Sequence, residues 1–320
     1  MRVLVTGATG FIGRALSKKL IRDGHVVIAA TRSRVADVVD GCLCRVVGEI
    51  DGRTNWDAAL EQTDAVVHLA ARTHQSDGID SESAYRTLNV DGTRQLAAAA
   101  VSAGVKHFVF MSSIKVNGEQ SPIAEDGCAH RFSADDVPDP TTEYGRSKWQ
   151  AEQVLRQIVG NSGTRLAILR PPLVYGAGQK GNLQSLMRAV DRRLPLPLAS
   201  TKNRRSLIDV DNLADALIIA MTSNLNSSTY TLADVDVSSA TLAQAMASAL
   251  GRRSNLFPCP KVLLEVVATI CGRRAQLEKI VDTLLVDSER FIADSGWMAT
   301  RTLEQSLRAA AEHYSSLRRE

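Results

Sequence analysis

The sequence lacks an excess of charge of either sign. Its 38 Lys+Arg face 35 Asp+Glu, a net +3 scattered along the chain, which excludes the massed basic footprint of a nucleic-acid binder. Paired cysteines are missing too. Cys42, Cys44, Cys128, Cys259 and Cys271 are odd in number, have no Cys-x-x-Cys spacing, and no histidines pair at ligand distance; neither a disulfide framework nor a metal site is expected. Long apolar runs are absent: Val262 to Ile270 is short and broken by Glu265, well under the roughly 20 residues of a membrane span. The N-terminus turns glycine-rich at Gly7, before any signal-peptide core could form, and reads as a first strand. A reducing cytoplasm is the expected location. No internal repeat or low-complexity tract is visible.

What is present is the composition of an ordinary folded protein, 44% hydrophobic and 23% charged with 21 glycines. Over 320 residues this predicts one large α/β domain or a nucleotide-type domain with an appendage. Short β-branched runs (Val3 to Thr6, Val26 to Ala30, Arg45 to Val47, Ala65 to His68, His107 to Met111, Leu166 to Leu169) alternate with helical periods at Phe11 to Asp23, Ser83 to Ala103 and Glu143 to Val159. That alternation predicts βαβ units: a Rossmann-type doubly wound parallel sheet with a smaller C-terminal substrate-binding domain. Residues 1–175 with about 207–232 form the expected dinucleotide domain, and about 176–206 with 233–320 the second. The loop from Asn117 to Thr142 is long enough to border a site.

The segment Gly7-Ala8-Thr9-Gly10-Phe11-Ile12-Gly13 follows the first strand and opens the first helix. Glycines there permit a tight turn, close approach of a pyrophosphate, and helix–strand packing, while the helix N-terminus receives the negative charge. At the end of the second strand, Thr31, Arg32 and Ser33 stand where NAD binders carry a carboxylate. Two guanidiniums, Arg32 and the following Arg34, with two hydroxyls suit a 2′-phosphate, so NADP(H) is the favoured cofactor, with NAD(H) the alternative.

Tyr144-Gly145-Arg146-Ser147-Lys148 places a phenol and an ammonium four residues apart on one helix face, with Ser113 some thirty residues earlier at a strand end. The ammonium is expected to lower the phenol pKa and make Tyr144 a proton donor and acceptor, with Ser113 bonding the same substrate oxygen. Lys115, two residues past Ser113, would face the same substrate, or is a solvated loop lysine. His74 reads as an incidental loop histidine and is left outside the site.

These motifs, with His68 to Arg72, Asn89 to Thr93, Arg170 to Gly176 and Arg205 to Asp215, resemble the NAD-dependent epimerase/dehydratase family of extended short-chain dehydrogenases/reductases over nearly the whole chain. The resemblance implies a nucleotide-sugar enzyme. It implies that Gly48, Glu49 and Ile50 lie by the adenine, that Leu69, Ala70, Ala71 and Pro171 line the cofactor, and that Lys148 meets the nicotinamide ribose. Asn182 and Arg205 would hold the substrate diphosphate. Family dehydratases carry an Asp-Glu pair where this chain has Ile114 and Lys115, which disfavours dehydration. The stretch Ser112 to Glu119 looks like the 4-reductases that use NADPH on a UDP-linked 4-keto-6-deoxy amino sugar for bacterial surface polysaccharide (O-antigen, lipopolysaccharide). The alternatives are a UDP-hexose or UDP-N-acetylhexosamine 4-epimerase with bound NAD, and a non-catalytic dinucleotide-binding regulator. Relatives also imply a homodimer through the helices at Ser83 to Ala103 and Glu143 to Val159.

Overall fold

The computed structural model describes the chain apart from residues 35–36, 74–80, 126, 180, 224, 226–227, 261, 265–268, 270–276, 278–279 and 319–320. His74, Cys271, Arg273 and Arg274 lie outside the described residues, as does part of the 262–270 stretch.

Seven parallel strands form the central sheet: β1 (Arg2–Thr6), β2 (Val26–Thr31), β3 (Leu43–Val46), β4 (Ala65–His68), β5 (His107–Met111), β7 (Arg165–Arg170) and β10 (Ser228–Thr231), in the order β10-β7-β5-β4-β1-β2-β3. Strand side chains alternate between the faces, and both faces are covered. Val3 and Val5 pack with Leu16 and Leu20 of α1 (Phe11–Arg22) and with Leu213 and Leu217 of α7 (Val210–Thr222). Leu4, on the other face, packs with Leu96 and Ala100 of α4 (Thr93–Ser102) and with Ala151 and Leu155 of α5 (Glu143–Val159). The chain leaves β1 toward β2 on one side and meets β4 on the other, so a switch point opens at the carboxyl ends of β1 and β4.

The expected helix from Ser83 to Ala103 is divided: α3 (Ser81–Tyr85), a π-helical stretch (Arg86–Gly92), then α4. Two contacts account for the widened stretch. Thr93 Oγ1 donates to the Asn89 carbonyl at 2.7 Å, and a Cβ on Gly92 would come within 2.7 Å of the Ile50 side chain, so the backbone runs close against the loop after β3.

A second sheet joins β8 (Leu173–Tyr175), β9 (Arg205–Asp209) and β11 (Val235–Val237), and β6 (Arg131–Phe132) pairs with β12 (Leu285–Val286). A short α2 (Asp57–Leu60), then α6 (Asn182–Asp191), α8 (Ser239–Ala249), α9 (Glu289–Ser295) and α10 (Leu303–Ser316), complete the labelled elements. Leu183 and Met187 of α6, Met246 of α8 and Leu307 of α10 form their own core with Tyr175 and Leu207. Trp297 is 2% exposed against Phe291, with its indole N–H donating to the Asn212 carbonyl. No helix among the described residues is long and apolar enough to cross a membrane.

Candidate active site

A cleft of about 2110 Å³ runs across the switch point, from the glycine motif through Ser113 and Tyr144 to Asn182 and Arg205. Its first end is made of backbone. Gly7 has φ +69° and a Cβ there would stand 2.9 Å from the Ala70 nitrogen; a Cβ on Gly13 would stand 2.1 Å from the Gly7 carbonyl oxygen. No side chain caps α1 at Gly10 and no acidic residue occupies its first turn, which leaves the positive helix end for an anion. Gly7, Gly10, Phe11, Ile12 and Gly13 all line the cleft, together with Leu69, Ala70 and Ala71 past β4. A dinucleotide pyrophosphate fits this cradle, because the glycines let the turn pack tightly on its own backbone and bring the uncapped helix end to the cleft.

A buried polar chain ties this end to α5. Thr6 Oγ1 accepts the Leu69 and Ala70 N–H groups and contacts His68 Nδ1 at 2.7 Å; His68 Nε2 contacts Thr93 Oγ1 at 2.9 Å. The single Thr93 hydroxyl proton goes to the Asn89 carbonyl. Nε2 therefore carries the imidazole hydrogen, and Nδ1 accepts from Thr6. His68 is neutral, its pKa pushed down to about 3 by burial and then by the Lys148 charge. Asn89 Nδ2 donates to Ser147 Oγ, which donates to the Tyr144 carbonyl.

Where the adenosine would lie, Thr31, Arg32, Ser33, Gly48 and Ile50 line the cleft. Glu49 does not: its carboxylate turns to Arg32 at 3.4 Å, with both side chains largely exposed. The Thr31 hydroxyl is 5% exposed and donates to the Ser33 carbonyl at 3.1 Å, beside Cys44 Sγ. Pro171 is also off the cleft, its carbonyl accepting the Ile114 N–H, and Pro172 lines it instead.

Ser113 and Tyr144 both line the cleft, and the Ser113 hydroxyl lies near enough to favour the Tyr144 phenolate, while its Oγ accepts the Lys115 N–H at 3.3 Å. The expected lowering of the phenol pKa is reversed: burial pushes Tyr144 up to about 12, opposed by the Ser113 bond and reinforced by Tyr85. The physical reason is where the cation goes. Lys148 Nζ donates to the Met111 carbonyl at 2.6 Å, lies 4.4 Å from the Phe110 ring centroid, is 1% exposed and does not line the cleft. Burial draws its own pKa down to about 7, against the pull of Glu152.

At the far end the cleft is lined by Lys115, Asn182 and Arg205. Lys115 and Glu119 form an ion pair, and Asn182 is the first residue of α6. Arg205 donates to the Asp282 carbonyl at 3.0 Å, and burial lowers its pKa against the charges of Asp282 and Glu119. Sequence reasoning missed Glu119, Gln120, Asp282, Arg301 and His313, which also line the cleft. Glu119 stood in the Ser112-to-Glu119 stretch and Thr142 closes the loop expected to border a site; His313 is brought in by the packing of α10, and Arg301 by its ion pair with Asp211 of α7.

The chain's residues 3–233 match the model of the "NAD dependent epimerase/dehydratase family". It is 35% identical over 98% of its length to 95% of a UDP-glucose 4-epimerase of Vibrio cholerae. It is 27% identical, over 95% of this chain and 92% of the other, to an N-acetyl-alpha-D-glucosaminyl-diphospho-ditrans,octacis-undecaprenol 4-epimerase of Escherichia coli O157:H7. Among solved structures, UDP-glucuronic acid 4-epimerase from Bacillus cereus in complex with NAD superposes with a TM-score of 0.79 at 20% identity, covering 100% of this chain and 98% of that one. This last likeness is one of fold.

Proposed function

We propose, from the NAD-dependent epimerase/dehydratase family to which this chain belongs, that it moves hydride between C4 of a UDP-linked hexose and a nicotinamide dinucleotide and so inverts C4. One observation carries the reading: Ser113 and Tyr144 line a single cleft with the glycine cradle at one end and Arg205 at the other. The V. cholerae relative, named a 4-epimerase and matched end to end, supports the same direction.

A bound nicotinamide dinucleotide supplies the hydride acceptor and returns the hydride. The protein's residues handle the rest. Ser113 bonds the C4 oxygen, and Tyr144 takes the hydroxyl proton as the C4 hydrogen leaves and gives it back on return. Lys148 is assigned to favour the phenolate, which requires its ammonium to serve Tyr144 as well as the Met111 carbonyl that now holds it. Arg205 and Asn182 anchor the diphosphate, and the cleft's breadth leaves room for the freed hexose to turn over. The test is incubation with UDP-glucose and UDP-N-acetylglucosamine, with C4 configuration read by NMR and the cofactor released by denaturation identified. Formation of the C4 epimers supports the reading; their absence with active-site residues intact overturns it.

A second reading has a specific observation behind it. The end of β2 offers Thr31, Arg32 and Ser33 to the cleft without a carboxylate of its own, an arrangement suited to a 2′-phosphate. On that reading the enzyme is an NADPH-dependent 4-reductase of a UDP-2-acetamido-2,6-dideoxy-4-ketohexose. Stoichiometric NADPH oxidation by that substrate, without epimerisation, would select it.

A further inference from the structure

Behind the site lies a buried charge cluster that the mechanism does not use. Glu152 is 0% exposed and Arg170 1%. Glu152 Oε1 accepts the Ser112 hydroxyl at 2.6 Å and Arg170 Nε at 2.9 Å, and Oε2 accepts Arg170 Nη2 at 2.6 Å. Arg156 adds a longer bond at 3.3 Å from a partly exposed position. Arg170 also reaches Asn117 Oδ1 at 3.1 Å, and Trp149 lies against both guanidiniums. This one carboxylate thus links α5, which carries Tyr144 and Lys148, to the end of β7 and to Ser112, the chain neighbour of Ser113.

The geometry has an electrostatic side. Lys148 and Glu152 are four residues apart on α5, hence on one face. The groups that act on the Lys148 ammonium are the Met111 carbonyl and Phe110 ring of β5, neutral His68 of β4, and Glu152 of its own helix, which pairs in turn with Arg170 of β7. Lys148 and Arg170 are two buried cations, and Glu152 is the buried carboxylate between them. A buried ammonium without an anionic neighbour gives up its proton.

We propose that Glu152 is a positioning residue for the site: its carboxylate holds the catalytic helix in register with the Ser112–Ser113 segment and keeps Lys148 an ammonium. This rests on the assignment of Tyr144 and Lys148 above. The mechanism predicts two separable losses. Ser112→Ala removes one strut and no charge, so turnover falls while its pH profile stays in place. Glu152→Gln keeps an acceptor for Ser112 and Arg170 but removes the charge. Its alkaline limb moves toward acid by about one unit, so that kcat above that limb drops about tenfold, with KM for UDP-glucose little changed. Where Glu152→Gln fails to fold, the paired Glu152→Met/Arg170→Met variant removes both buried charges at similar volume, an exchange folds commonly accept.

The deciding measurement is the titration of Lys148, followed by NMR of 13C-methylated lysines, in the wild type and in the folded charge-removing variant. A downward shift of the Lys148 midpoint, with the matching shift in kcat, is the expected result. An unmoved midpoint and an unmoved pH profile overturn the proposal. The two assignments fail differently: full turnover in Tyr144→Phe would remove the catalytic reading, whereas the Lys148 titration tests Glu152 without any turnover.

Discussion

At the glycine-motif end of the cleft, seven consecutive residues and the ends of three neighbouring strands make a surface of backbone, and two glycines are required by what stands 2.1–2.9 Å from their absent Cβ atoms. At the Arg205 end, Lys115 and Glu119, Asn182 and Arg205 come from three separate segments and present charged or polar side chains, Lys115 and Glu119 already paired with each other. A wall of backbone accepts a ligand by shape and tolerates no added atom. One made of long side chains shares the ligand among several partners and loses affinity by fractions. The two ends should therefore fail in different ways.

The largest effect belongs to the backbone end. Gly13→Val places atoms where the Gly7 carbonyl oxygen and Ala8 Cα already stand, so the turn itself must open. Loss of nicotinamide dinucleotide binding and several kcal/mol of stability is expected, read by cofactor titration and thermal melting. The control is Gly178→Ala, farther along the same cleft: its φ is +88° but the nearest atoms lie at 3.7 Å. It should lose only the left-handed backbone strain, about 1 kcal/mol. Equal damage from both would erase the distinction.

In the middle, Tyr144→Phe should cut turnover about a hundred- to ten-thousand-fold while leaving cofactor affinity near wild type. Retained turnover would sink the role assigned to Tyr144.

The same contrast explains what could be read before the structure. Continuous motifs carried their own geometry: the strands Ala65–His68 and His107–Met111 and the helix Glu143–Val159 have the expected bounds, and the glycine motif sits where a strand-turn-helix needs it. Less legible was which partner a side chain takes where it has a choice. Lys148 shares a helix face with Tyr144, yet buried among Phe110 and the Met111 carbonyl it serves the backbone. Glu49 stands in the right segment but turns to Arg32. Arg301 and His313 were invisible because nothing local in the sequence says whether the segment entering the last helix faces the cleft, or which turn of that helix does.

The Arg205 end should weaken gradually. Arg205→Ala removes one half-buried guanidinium among several cleft groups, and a charge-assisted bond of this kind contributes about 1.5–3 kcal/mol. UDP affinity, measured by calorimetry, should fall roughly ten- to hundredfold, with dinucleotide affinity unchanged. Along the same strand, at the end of β9, Asp234 Oδ2 accepts the Asp209 N–H at 2.7 Å and Asn212 Nδ2 at 2.6 Å. Burial, with the Asp209 charge adding to it, pushes Asp234 up to about 6 from 3.8. A carboxyl raised on folding stabilises the protein fully below its unfolded pKa and loses that contribution as pH rises through the folded one. Between 3.8 and about 6 the wild type should lose up to about 3 kcal/mol from this group. Asp234→Asn should flatten that part of the melting-temperature profile; an unchanged slope would move the effect to other groups.

The smallest effect returns to the cofactor end, at the one place where it is built like the other. Arg32 and Glu49 are an exposed ion pair at 3.4 Å, a contact that contributes about 0–1 kcal/mol, so Arg32→Ala should leave folding untouched. Its consequence lies in cofactor choice. A 2′-phosphate would compete with Glu49 for the guanidinium, gaining a bidentate partner while meeting a carboxylate beside it. If Arg32 reads that phosphate, Arg32→Ala lowers NADPH affinity several-fold relative to NADH, and Glu49→Gln raises it by removing the competing charge. If the ratio of the two affinities is the same in all three proteins, the exposed arginine is surface, the favoured cofactor is not set at β2, and the 4-reductase reading loses the observation that separates it from 4-epimerisation.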